Sequence, residues 1–300
     1  MIRYLRNITV LTVLACTSFC LSGCLKDISE EIPNDKPRLT VNCFFNPKIP
    51  FLLTISKSKG ILENPAGHYL DDAVGYIYED GILIDSVKAI PHLGYHISQQ
   101  SFIPQIGKNY RIDVHYPGYD PVSGGSILPD YVPLQAVTLD TMFYSATGHN
   151  VYALKVKFND LPAPGNYYHL MVYRNKLSES GEWMPEQVCY LSDDPVFDAV
   201  SKQTCSGGFF TDASFNGQEK EIIINTKRRL NHKLNDSVQF LVELRHGSEA
   251  YYEYNKSLAV FKNGQGDIFS QPGPITGNIQ HGYGLFAGYA GVMDTVKLNE

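Results

Sequence analysis

Along most of the chain, apolar and polar positions alternate in short runs that stop at Gly, Pro, Asn or Asp. A period of two puts successive side chains on opposite faces of a strand, so this pattern predicts strands over Arg38 to Phe45, Phe51 to Lys57, Gly94 to Gln99 and Asn109 to Tyr116. Val74 to Glu79 and Ile82 to Val87 flank Asp80-Gly81, a pair that tolerates the positive φ values of a two-residue hairpin turn. Tyr110, just before the alternating Arg111-Ile112-Asp113-Val114, is placed as a corner tyrosine bonding back to the backbone. Gly118 to Gly125 reads as a glycine-rich loop. It lacks the Gly-x-Gly-x-x-Gly spacing and a following helix, so no phosphate cradle is expected there.

Further strands are predicted over Val151 to Phe158, Tyr167 to Arg174, Lys220 to Asn225 and Ser237 to Arg245. Both faces of Tyr167 to Tyr173 are apolar, which suits a strand covered on both sides, whereas residues 175–218 read as irregular. Helical spacing occurs once. Ser248 is an N-cap, Glu249 lies in the first turn, and Tyr251, Tyr254, Leu258 and Phe261 form a stripe ended by Asn263-Gly264. On that stripe Tyr251 and Tyr254 belong to the core and Tyr252 faces solvent. The prediction is a mainly β protein. An N-terminal antiparallel β-sandwich of immunoglobulin-like or transthyretin-like type spans residues 37–135, and a second β-rich domain spans 136–300 with a helix near 248–262.

Composition agrees, because 20 Tyr, 15 Phe, 25 Gly and 17 Pro favour strands and turns over helices. The net charge of -6 hides an asymmetry. Arg3 and Arg6 are the only charged residues before Cys24, so the remaining 277 residues carry 23 Lys+Arg against 31 Asp+Glu, a charge of -8. An acidic body argues against nucleic acid, and Lys227-Arg228-Arg229 is too isolated to change that.

Residues 1–23 have a basic start and an apolar run from Ile8 to Leu21, the anatomy of a signal peptide. Leu21-Ser22-Gly23-Cys24 resembles the bacterial lipobox, which implies cleavage before Cys24 and lipidation (palmitate and a diacylglycerol) on that residue. Residues 24–36 form an acidic tether. Its Lys26-Asp27 opening resembles the surface-export signal of Bacteroidota lipoproteins, implying an outer-membrane location facing the cell exterior; a tether that merely stays solvated is the plainer alternative.

Of six cysteines, Cys16 and Cys20 leave with the signal and Cys24 is lipidated, so three remain. Cys43 lies in an apolar run and is expected as a buried inert thiol. Cys189 and Cys205 bracket a polar stretch, either as a disulfide worth about 3 kcal/mol or as two thiols. No His-Glu-x-x-His, Gly-x-Ser-x-Gly or Walker loop is present, and the Ser-x-x-Lys of Ser56 to Lys59 lies in a strand rather than at a helix start. Asp193, Asp194 and Asp198 are a weak calcium candidate. They lack the Asp-x-Asp-x-Asp-Gly spacing, and a solvated acidic loop is the favoured reading. No cofactor and no enzymatic activity are expected; a hydrolase would need two carboxylates or a nucleophile and base brought together by folding.

The lipobox, the tether, the Asp80-Gly81 hairpin, Asn166-Tyr167-Tyr168, Phe215-Asn216-Gly217, Tyr251-Tyr252-Glu253-Tyr254 and Asn278 to Phe286 follow one another in an order that resembles the Bacteroidota lipoprotein family of domain of unknown function 4249. The resemblance implies an outer-membrane lipoprotein, often encoded beside a TonB-dependent receptor, with no established enzymatic activity. The expected function is therefore a surface-exposed, non-enzymatic accessory or substrate-capturing subunit of a TonB-dependent transporter. The alternative is a freestanding glycan-binding protein or adhesin that uses exposed aromatics such as Trp183. Recognition loops are expected at 60–70, 118–130 and 180–218. Glycines 277, 282, 284, 288 and 291 are expected to allow tight turns or close backbone approach, with Leu285-Phe286 plugging a core.

Overall fold

The computed structural model describes residues 36–60, 69–144, 149–177, 182–198, 201–227, 239–264 and 273–297. Residues 38–58 and 66–300 form one compact unit, treated below; the other comprises residues 1–37 and 59–65. The chain is mainly β, as its alternation requires. The first seven strands are β1 (Leu39–Phe45), β2 (Leu52–Lys57), β3 (Val74–Glu79), β4 (Ile82–Ile90), β5 (Tyr95–Ser98), β6 (Asn109–His115) and β7 (Val122–Ile127). Then come the long β8 (Leu134–Tyr144), β9 (His149–Asn159) and β10 (Tyr167–Leu177), and the short β11 (Trp183–Gln187), β12 (Tyr190–Leu191), β13 (Gln203–Thr204) and β14 (Gly208–Thr211). The chain ends with β15 (Glu219–Lys227), β16 (Gln239–Gly247), the helix α1 (Glu249–Gly264) and β17 (Tyr283–Lys297). No helix among the described residues is long and apolar enough to cross a membrane.

Two sheets result. The larger runs β11-β10-β16-β17-β1-β2-β5-β4-β3-β6-β7, with β14 also paired to β10; the smaller runs β13-β12-β15-β9-β8. One core lies inside the curl of β1 to β7 and includes Val41, Phe45, Phe51, Ile55, Ile112 and, from the far end of the chain, Phe286. The other lies between the two sheets, where Leu154, Val156 and Phe158 of β9 and Ile222 and Ile224 of β15 meet Tyr168, Leu170 and Val172 of β10 and Phe240, Val242 and Leu244 of β16. These residues keep the strict alternation of half-buried strands. β10 is covered on its second face as well, since His169 stacks on Phe209 and Tyr167 on Tyr252 of α1.

Local signals act where they stand. Asp80 and Gly81 take φ values of +47° and +86°, closing the β3–β4 hairpin, and Asp80 then accepts the backbone N–H of Asn109 and an ion pair from Lys108 at 2.8 Å. The hydroxyl of Tyr110 accepts the N–H of Gln105 at 2.7 Å and donates to Glu79 at 2.6 Å, so the corner tyrosine ties β6 to the preceding loop. Ser248 caps α1 through the N–H of Tyr251. Cys43 is fully buried, and burial pushes its thiol pKa well up.

Several expectations need correction. Residues 122–127, which overlap the second half of the expected Gly118–Gly125 loop, form β7; there Gly124 leaves room for Ile279, which a Cβ would strike. The stretch 175–218 contains four short strands, β11 to β14, too brief to show a period. β8 and β17 fall where no strand is expected. β17 also pairs in parallel with β1, against an all-antiparallel sandwich, from Thr40 opposite Tyr283 to Phe45 opposite Gly288. Tyr252 is buried, at 7% exposure, because Tyr167 and Phe209 of the sheet close over its ring and Lys256 sits above it.

The segment before β17 joins the two edges of the first sandwich. The Asn278 amide acts as an extra peptide: its Nδ2 donates to the carbonyls of Gly125 (3.0 Å) and Phe286 (2.9 Å), and its Oδ1 accepts the N–H of Phe286 (2.8 Å). Gly284 takes φ +103° with the Val41 carbonyl where a Cβ would stand, so only glycine lets β1 and β17 meet. Asn278→Ala is expected to cost about 1–3 kcal/mol by stranding the Phe286 N–H. Gly284→Ala should cost at least as much, about 3 kcal/mol, from strain and overlap together. Gly118→Ala, also at positive φ but with open space around it, should cost about 1 kcal/mol. Urea unfolding of the three variants checks the order, and equal losses would contradict a clamp at this seam.

Candidate functional site

Two concave surfaces lie on the second sandwich. On the outer face of its five-stranded sheet, Ala153 and Ile223 form the floor of a basin of about 570 Å³ walled by Asp140, Lys155, Asp193, Asp194, Glu221 and Asn225. Strand register puts them together: Asp140, Ala153 and Asn225 lie in one row across β8, β9 and β15, and Lys155 is opposite Ile223 in the next. Ser192 donates to the carbonyl of Ile223 at 2.7 Å, pulling the loop after β12 over the sheet so that Asp193 and Asp194 form a rim. Asn225 is buried, and its Oδ1 has no hydrogen-bond partner among the described residues. Carboxylate oxygens, one ammonium and a carboxamide around an aliphatic floor suit a small polar ligand with both donors and acceptors.

Asn225 also borders a second cavity of about 380 Å³ at the mouth of the sandwich, beside the Cys189–Cys205 disulfide that the structure forms. An Arg174–Glu186 ion pair at 2.9 Å lines the same cavity.

Two of the three aspartates of the calcium candidate face different cations. Asp194 accepts Lys220 at 2.9 Å and the N–H of Val196. Asp198 pairs with Lys256 of α1 at 3.0 Å; burial opposes its ionised form, but Lys256 and the Ser201 N–H outweigh that and hold its carboxyl below the usual range. No group of three or more His, Cys, Asp or Glu among the described residues is arranged to hold a metal ion. Of the expected recognition loops, residues 61–68, 178–181 and 199–200 lie outside the described residues, as do the lipobox residues Leu21, Ser22, Gly23 and Cys24, the tether residues Lys26 and Asp27, and the side chain of Trp183.

Many buried polar groups around β10 and α1 serve two structural networks that sequence reasoning missed. In the first, Asp212 accepts the N–H groups of Gly165 (2.9 Å) and Asn166 (3.1 Å), while Asp160 accepts the N–H of Gly217 (2.7 Å) and the hydroxyl of Tyr168. The Asn166 amide lies between the two carboxylates, at 3.3 and 3.0 Å. Asn166-Tyr167-Tyr168 and Phe215-Asn216-Gly217 thus meet at a knot that locks the turn before β10 to the turn before β15.

The second network runs from sheet to helix. Arg245 donates to Glu243 (2.8 Å) and to the hydroxyl of Tyr251 (3.2 Å), and its guanidinium lies 4.7 Å from the Tyr289 ring. His169 Nδ1 contacts the Tyr251 hydroxyl at 2.9 Å and Nε2 the Ser206 carbonyl at 2.8 Å. A carbonyl only accepts, so Nε2 carries the proton and Nδ1 accepts from Tyr251. Burial, helped by the charge of Arg245, lowers the His169 pKa to about 3.

Two outcomes follow. The folded pKa of His169 lies below its unfolded value of about 6.5, so its contribution is complete above that pH and is lost as pH falls toward 3. Thermal melts from pH 7 to 4 should therefore drop more steeply for the native chain than for His169→Phe; parallel curves would show that His169 does not set the slope. Replacing Cys189 and Cys205 together by alanine should cost about 3 kcal/mol in denaturant unfolding, and no loss would mean that the short strands β12 and β13 hold the cavity wall unaided.

No curated protein matches the chain. The model of one family does, over residues 26–294, from just after Cys24 almost to the end of β17. That span holds both sandwiches, the Asp160–Asp212 knot and the Asn278 seam, and the chain belongs to the family defined by the domain of unknown function DUF4249.

Proposed function

We propose that this chain is a lipid-anchored, non-enzymatic accessory protein of the outer membrane that captures substrate for a TonB-dependent transporter. One observation carries the reading: Leu21-Ser22-Gly23-Cys24 closes a basic-then-apolar leader and is followed by the polar stretch 24–36. An acylated cysteine there holds the body at a membrane, since each buried methylene contributes about 0.8 kcal/mol. The interior is consistent with a binding role. The buried carboxylates Asp85, Asp160 and Asp212 accept backbone N–H groups, which leaves them committed to the fold rather than available to a substrate. The basin on the five-stranded sheet is the surface best suited to the captured ligand.

Metabolic labelling with an alkyne fatty acid should mark the native chain and not Cys24→Ala, which should appear in the soluble fraction. Mild detergent extraction of the native membrane should co-purify a β-barrel with the labelled chain. Labelling that persists in Cys24→Ala would remove the anchor, and a labelled chain without any cross-linked barrel would remove the transporter role and leave a freestanding lipoprotein.

A further inference from the structure

Strand directions decide which loops gather at which end of the first sandwich. β1 begins at one end, and antiparallel pairing brings β2, β4 and β6 to finish there. β17 is parallel to β1 and begins there too. Arg38, Ser58, residues 69–73, the β4–β5 and β6–β7 connections and the residues before β17 therefore share this end. Cross-contacts bear that out: Ser58 bonds to Arg38, Tyr69 bridges Ser56 and covers Gly94, and Ser123 bridges Gln280.

The large apolar side chains exposed here include three tyrosines beside the aliphatic Val74 and Leu93. Tyr69, Tyr95 and Tyr283 are 52%, 45% and 46% exposed, Leu93 is 61% exposed, and the half-buried rings of Tyr116 and Tyr119 pair at 5.6 Å. Arg38 extends over the Tyr283 ring at 5.5 Å. At the opposite end the exposed apolar residues are mostly aliphatic, Ile49, Leu52, Ile82, Leu83, Ile103 and Ile127, together with Phe44, whose ring packs edge-on against Tyr251 and Tyr254 of α1. Tyrosine is the side chain with an apolar body and a wet tip, and it concentrates where hydrocarbon meets headgroups. Asp71, Asp72 and Asp120 lie exposed at the same end beside Arg38 and Lys57, so attraction to anionic lipid is not the driving term.

The chain upstream of β1 joins the body at this end. Cys24 precedes Arg38 by 14 residues, a reach of at most about 50 Å even if fully extended. Confinement within that reach raises the effective concentration of lipid near the body, so shallow insertion of a few side chains suffices. We propose that the tyrosine-bearing end of the first sandwich, around Tyr69, Leu93, Tyr95 and Tyr283, rests in the headgroup layer of the membrane. This rests on the lipid-anchor reading above. It fixes the orientation of the body, with the Asp80-Gly81 hairpin pointing away from the bilayer.

The test uses the full lipidated chain in phosphatidylcholine vesicles containing a phospholipid with a diazirine near its headgroup. Flotation reports the anchor, and mass spectrometry of photo-crosslinked peptides reports the seating. Crosslinks are expected on peptides holding Tyr69, Leu93, Tyr95 and Tyr283 and absent from those holding Ile82, Leu83 and Ile103. Combining Leu93→Glu with Tyr283→Ser, both exposed and so tolerated by the fold, should lower crosslinking at this end about threefold or more without changing flotation. A chain that fails to float overturns the anchor and this proposal together. A chain that floats with crosslinks confined to the tether, spread evenly, or concentrated at Ile82 and Leu83 overturns the seating alone. Native membranes in which these peptides crosslink to a barrel instead of lipid would assign the tyrosines to a protein partner and overturn it as well.

Discussion

β17 belongs to both sandwiches at once. Residues 283–288 pair with β1 and send Phe286 into the first core, and residues 289–297 pair with β16 and pack Val296 against the second. A strand shared in this way cannot slip by one residue, because a slip would turn every inward side chain of both halves outward. Its register is held at the point of greatest crowding, where Gly284 passes the Val41 carbonyl and the Asn278 amide supplies three hydrogen bonds across the seam. The rest of the large sheet grows outward from that contact in two directions.

Such a design leaves buried polar groups that need partners. Asp160 and Asp212 accept backbone N–H groups from turns that no regular ladder would satisfy, and the Asn166 amide is the donor between them. A buried carboxylate without donors would cost several kcal/mol, so the motif residues of this region are fixed by hydrogen-bond satisfaction. The relay from Arg245 through Tyr251 and His169 to Ser206 does the same for the helix face and ends next to Cys205 of the disulfide. α1 is thereby fastened to the loop that walls the second cavity.

What the sequence made legible was local. Asp80-Gly81, Tyr110 and Ser248 each have a local part, the positive-φ turn, the Gln105 N–H and the Tyr251 N–H, that their neighbours in the chain supply, and the distant bonds of Asp80 to Asn109 and of Tyr110 to Glu79 add to it. β17 and β7 stayed hidden for the opposite reason. Glycines 284, 288 and 124 lower strand propensity and look like loop, yet they are there because another element, distant in sequence, presses against the backbone. Tyr252 was assigned to solvent because a single helical stripe assumes one partner, whereas α1 lies in a trough with β10 and Phe209 on one side and Phe44 and Tyr289 on the other. The basin was invisible because Asp140, Lys155, Glu221 and Asn225 come from three strands and are aligned only by register. Asp193 and Asp194 stand out in the sequence as an acidic pair, but their surroundings, Lys220 beside Asp194 and the sheet beneath both, come from distant strands.

The shared strand also sets distance. β17 starts at the end of the first sandwich where Arg38 enters, and β16 begins pairing with it only from Tyr289 onward, so the second sandwich is displaced along the strand by about 3.3 Å for each residue. Both cavities lie in that displaced half, and the end of the first sandwich where β1 begins carries neither. β1, β17, β16 and β10 are hydrogen-bonded in one continuous run, so the second core is carried at a distance from Arg38 that this register sets.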